Sequence, residues 1–162
     1  MLKSLMVLSA GVIGLAAVGL SQQNSPGVSG VDAIAARQAS LDMSSLAFHS
    51  LGEAMKAGEE PKNFAYAAAA LAKWAKALPA MFPAGTGQGE TPAFSQARPA
   101  IWKNRAGFEK AAAYYAETTQ QLAALARAND SPGFTKQLEA VNQACASCHA
   151  IYKAGDQGPP KK

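Results

Sequence analysis

The chain has 162 residues, 49% hydrophobic and 16% charged, which suits one domain with a short non-domain segment and leaves too little for two well-filled cores. Its formal net charge of +4 contains no long Lys/Arg run, so a nucleic-acid-binding stripe is excluded, and the mildly basic balance points at most to an acidic partner. Ala runs such as Ala67 to Ala70 and Ala111 to Ala113 favour helix and close helix packing, so an all-α fold is the expectation.

Residues 1–22 place Lys3 before an apolar stretch from Leu5 to Leu20 and then turn polar at Ser21-Gln22-Gln23, the layout of a signal peptide. The stretch is shorter than the roughly 20 residues that span a bilayer, which makes an uncleaved membrane anchor the lesser alternative. Export to the periplasm would put the two cysteines in an oxidising compartment. Residues 23–30 and 155–162, rich in Gly, Pro, Ser or Lys, read as flexible ends around a helical domain at 31–154.

The first predicted helix, Val31 to Ala57, carries Ile34, Leu41, Phe48 and Met55 seven residues apart. Gly58-Glu59-Glu60-Pro61 breaks it, and Pro61 opens a second helix with Phe64, Ala67, Leu71, Trp74 and Leu78 on one face. Pro79 to Arg98 is too long and too rich in Gly and Pro for an ordinary helix link, and is read as either mobile or a cover. A third helix, Pro99 to Ala128, repeats Ile101, Phe108, Tyr115 and Leu122. Ser131 is the expected N-cap of a fourth, with Pro132 in its first turn. That helix lines up Phe134, Leu138, Val141, Cys145, Cys148 and Tyr152. Four amphipathic helices with mostly short links bury their stripes together as an antiparallel four-helix bundle.

Cys145-Ala-Ser-Cys148-His149 is a C-x-x-C-H sequence, the attachment signature of c-type haem. Residues three apart on a helix project about 60° from each other, so two thiols can reach the two vinyl groups on one porphyrin edge. His149, the next residue, then brings an axial imidazole to the iron. A thioredoxin-type pair would instead open a helix after a strand. A zinc site drawing on His49 would need adjacent Cys148 and His149 as tetrahedral ligands, and a disulfide across one helical turn would be strained. A zinc-holding or purely structural helical module is the reading that remains if haem is absent.

Further pieces stand in order along the chain: Arg37-Gln38-Ala39, the Lys56 to Pro61 segment KAGEEP, Met81-Phe82-Pro83-Ala84-Gly85, Pro99-Ala-Ile-Trp102 followed by Phe108, and CASCHAIYK at 145–153. Together these resemble the cytochrome c′ family over about Val31 to Lys153. The resemblance implies one covalent haem c on Cys145 and Cys148, ligated by His149. It puts Leu41 on the distal face, where relatives with six-coordinate iron place Met. Leu cannot ligate, so a five-coordinate iron in an apolar pocket without hydrogen-bond donors is expected, binding NO or CO. A six-coordinate electron carrier with Met43 or His49 as second ligand is the alternative, although Met43 lies about 200° round the helix from Leu41.

Arg37 corresponds to a residue that approaches a haem propionate in the family, against the plainer reading of a solvated cation. Lys153 corresponds to a basic proximal residue, against simple complementation of the helix C-terminus. Trp74, Trp102, Tyr115 and Tyr152 are read as core before haem contacts. A small redox protein and a homodimer through the first two helices are the implied protein partners. Neither a nucleophile-base pair nor a nucleotide loop is present, so no catalytic residue is assigned.

Overall fold

Ser29 sets the start of the first helix: its backbone is extended and its hydroxyl accepts a hydrogen bond from the Asp32 N–H at 3.1 Å. The computed structural model describes residues 27–155, so the signal peptide expected at 1–22, half of the 23–30 segment and all of the C-terminal segment but residue 155 lie outside the described residues. Helix α1 (Gly30–Lys56) ends against Gly58, whose φ of +79° is open to a residue without Cβ. Pro61–Phe64 forms a 3₁₀ turn, so the second helix does not begin at Pro61 as expected; α2 (Ala65–Ala77) follows, and a second 3₁₀ turn spans Leu78–Met81.

The predicted third helix is two pieces. A one-turn α3 (Ala100–Lys103) stops at Asn104, which leaves helical geometry and caps α4 (Arg105–Ala128) by accepting from the Gly107 N–H at 3.1 Å. The seven-residue spacing of Ile101 and Phe108 conceals that break. At the other end Asn129 is left-handed, with φ 55°, which turns the chain one residue earlier than expected. The N-cap of α5 (Ser131–Tyr152) is therefore Asp130 and not Ser131, and Pro132 does sit in its first turn.

The four long helices α1, α2, α4 and α5 form an antiparallel bundle; among the described residues there is no strand, only an isolated bridge between Ala97 and Lys153. Ala68, Ala72 and Ala75 from α2 meet Ala112, Ala123 and Ala126 from α4 in one buried cluster, so small side chains let these helices approach closely. Phe134, Val141 and Leu122 fill the α4–α5 seam and are fully buried. Each such side chain stabilises the fold by roughly 1.5–3 kcal/mol. A second cluster gathers around Phe108, which packs edge-on against Phe82 at 5.0 Å and Tyr152 at 5.3 Å.

The long connection is a cover. Gly85, with φ +77°, turns the chain so that Thr86 enters the interior, where it is 1% exposed. Arg105 donates to the Pro79 carbonyl at 2.8 Å, the Trp102 indole to that of Phe82 at 3.2 Å, and Gln38 to that of Phe94 at 2.9 Å. The Arg98 N–H donates to Tyr152 and the Ala154 N–H to Gln96, which clamps the loop's end to the end of α5.

Candidate haem-binding site

Because Val141, Ala144 and Tyr152 bury one stripe of α5, Cys145 and Cys148 on the same stripe are carried inward and are half-buried. Both are free thiols, and both line a cavity of about 690 Å³ between α1, α4, α5 and the covering loop. Burial pushes the thiol pKa of each upward, and at Cys148 the neighbouring Cys145 adds to the effect, so both remain neutral thiols. His149, exposed, stands at the same cavity one residue on. Lys153 caps α5, its N–H donating to the His149 carbonyl at 3.1 Å, and its side chain also borders the cavity.

The facing wall comes from α1. Leu41, Ser44 and half-buried Phe48 line it. Met43 is 65% exposed and does not border the cavity, which follows from its turn away from Leu41 on a regular helix. His49 is exposed, borders the cavity, and meets the Phe48 ring edge-on at 5.6 Å. Asp42 lies at the same mouth.

Arg37 is not a solvated cation. It is 3% exposed, and its guanidinium donates to the Met81 carbonyl, the Thr86 hydroxyl, the Thr86 carbonyl and the Ser95 hydroxyl at 2.9–3.3 Å. The same group lies over the Phe82 ring, 4.5 Å from its centroid. Burial lowers its pKa, and all four acceptors are neutral. Four of its five N–H groups thus hold the covering loop, although Arg37 also borders the cavity.

Tyr115 and Tyr152 are buried, at 8% and 6% exposure, but both form cavity wall and so are more than core; Trp74 and Trp102 do not border the cavity. Phe82, Ala97 and Ser44 are cavity residues that sequence reasoning did not single out. Ser44 follows Leu41 by three residues and its face was readable from helical spacing. The loop residues carry no such periodic signal.

The cavity suits a porphyrin. Its volume lies in the range of cofactor pockets, roughly 300–1,000 Å³. Two neutral thiols open into it from one helix, an imidazole stands beside them, and Leu41, Phe48, Phe82 and Phe108 supply apolar walls. Among the described residues no three His, Cys, Asp or Glu side chains come together to hold a metal ion directly, so the zinc alternative loses its geometry.

A helical bundle with C-x-x-C-H on its last helix, opening into an apolar cavity of porphyrin size, defines the class of C-terminal-haem bundle cytochromes. The sequence profile of the family described as Cytochrome C′ matches residues 32–153. The chain is 34% identical over 95 residues to cytochrome c′ of Rhodospirillum rubrum, a match covering 58% of this chain and only 62% of that protein. It is 30% identical over 128 residues to cytochrome c′ of Pararhodospirillum photometricum, covering 74% of this chain and 99% of that one. Cytochrome c′ from Rubrivivax gelatinosus superposes with a TM-score of 0.68 at 25% identity, over 76% of this chain and 96% of that one. A ferrous, NO-bound variant of cytochrome c prime from Alcaligenes xylosoxidans shares the fold, with a TM-score of 0.70 at 24% identity over 78% and 97% of the two chains. The chain belongs to the cytochrome c′ family of haem proteins.

Proposed function

We propose that the protein carries one haem c, tethered through thioethers on Cys145 and Cys148 with His149 as axial ligand, and binds NO or CO at the open face of a five-coordinate iron. When bound, the haem supplies an iron with one coordination position free for a diatomic gas. The observation that carries this reading is the α1 wall. Leu41, which has no ligating atom, lines the cavity, while Met43 is 65% exposed and off it. The NO complex of the structurally similar Alcaligenes protein accords with it. Leu41, Phe48 and Phe82 supply apolar surface to the cavity, and Lys153 borders it with His149.

Electron exchange with a small redox partner belongs to the same reading, as does a role in binding and transfer in place of catalysis. Periplasmic location rests on the N-terminal segment 1–22; within 27–155 no helix is long and apolar enough to cross a membrane. A homodimer through α1 and α2 is supported by exposed Met43, Leu46 and Tyr66, at 65%, 61% and 87%.

His49 favours a second reading, because it borders the same cavity as Leu41. There it would occupy the sixth position of a low-spin electron carrier. Absorption spectra of exported, haem-loaded protein with and without CO separate the two. A large Soret change supports the open iron, and no change, restored by His49→Ala, overturns it in favour of His49. Haem staining on a denaturing gel tests the covalent attachment itself.

A further inference from the structure

A helix that ends at Tyr152 leaves the carbonyls of its last turn without partners inside the helix, and His149 opens that turn. The His149 carbonyl accepts from the Lys153 N–H at 3.1 Å. Two of the remaining carbonyls are met from the covering loop by one residue. Arg98 gives its backbone N–H to the Tyr152 carbonyl at 3.0 Å and its guanidinium to the Ala150 carbonyl at 3.3 Å. The following Pro99 favours an extended backbone at Arg98, and a cation suits the negative end of a helix. The Tyr152 ring holds the same turn from the core side, edge-on against Phe108 at 5.3 Å. Arg98 is half-buried and does not border the cavity, so its contact with the site runs through α5. His149 itself is exposed, and its Cα is fixed by the turn that carries it.

We infer that Arg98 is a positioning residue for His149: by closing the last turn of α5 from the covering loop, it fixes the backbone from which the axial imidazole is presented to the iron. The inference rests on the haem reading above and gives the clamp between loop and helix a part in it. Groups outside a metal's ligand set orient the ligands and tune their bonds. Here the device acts on the ligand's main chain. A last turn whose carbonyls lack partners frays, and a frayed turn lets the imidazole sample several directions.

The test follows the iron–histidine stretching band in resonance Raman spectra of exported, haem-loaded ferrous protein without added ligand. Arg98→Pro removes both donors to α5 and is expected to broaden the band and move it to lower frequency. Arg98→Ala removes the guanidinium alone and is expected to move it less, in the same sense; it decides the matter if Arg98→Pro fails to take haem. Hydrogen exchange of the Lys153 amide should quicken about fivefold in Arg98→Ala, as for one net hydrogen bond. Asp130→Ala is the control for stability alone. It removes the cap at the other end of α5, where Asp130 accepts from the Gly133 N–H at 3.0 Å, and should lower the melting temperature without moving the band. Arg98 variants that melt earlier yet keep the parent's band, as the control does, would make Arg98 a helix cap and nothing more, and overturn the inference; so would variants that change neither. Failure of the haem reading looks different: the parent itself would lack haem stain, or would stain and show no iron–histidine band.

Discussion

Replacing Arg37 by Met removes the centre of the loop's attachment while keeping an apolar stem of similar length. Four hydrogen bonds at 2.9–3.3 Å and a stacked ring are lost. The damage is partly contained, because the Thr86 carbonyl still accepts from Ser95 at 3.1 Å and the Thr86 hydroxyl still donates to Pro83 at 2.8 Å. Each lost bond contributes a net of about 1 kcal/mol. Relief from burying a charge without a carboxylate partner offsets part of that, leaving about 2–3 kcal/mol. For a domain of this size the melting temperature should fall by roughly 5–10 °C. Thermal unfolding of the haem-loaded protein, followed by far-ultraviolet circular dichroism, reads this directly, and limited proteolysis should open new cuts within 82–98. Arg37→Lys keeps the charge, but a single ammonium cannot span acceptors on Met81, Thr86 and Ser95 at once, so it should recover less than half the loss. A Met variant that melts within about 1 °C of the parent, with the loop still resistant, would refute the assignment of Arg37 as the loop's anchor.

Leu41→Met places a thioether on the cavity wall and should largely abolish the CO-induced Soret change; an undiminished response would mean that position 41 does not face the iron. The double variant Cys145→Ala, Cys148→Ala should lose all haem staining on a denaturing gel, whereas either single variant keeps one thioether and stains. Glu60 is held below the usual carboxylate range, first by its hydrogen bond with Lys62 and then by that with Asn129, which ties the α1–α2 link to the α4–α5 turn. A depressed folded-state pKa contributes stability above the unfolded value and loses it as pH falls through the folded one. Melting temperatures of Glu60→Gln and the parent should therefore differ at neutral pH and converge in acid, and parallel curves at all pH values would contradict this.

What was readable from the chain alone was what depends on neighbours within one or two helical turns. Two thiols three residues apart, with an imidazole next to them, must emerge on one side of a helix whatever surrounds it. The same holds for Leu41 against Met43, whose separation is a property of helix pitch. Gly58 and the Asn129 to Pro132 segment announced breaks by their own backbone preferences. Asn104 did as well, but the apolar spacing on either side concealed it.

Tertiary structure alone decided the rest. Arg37 had two plausible roles on paper, and neither included Met81, Thr86 and Ser95, which lie 44, 49 and 58 residues further on. Tyr115 looked like any aromatic on a buried stripe until α1 and α5 stood opposite it and made it part of a cavity wall. Helical periodicity says which face of a helix turns inward. It says nothing of whether a side chain on that face meets packed carbon, a loop carbonyl or open space, because that is set by the distances between helices far apart in the chain.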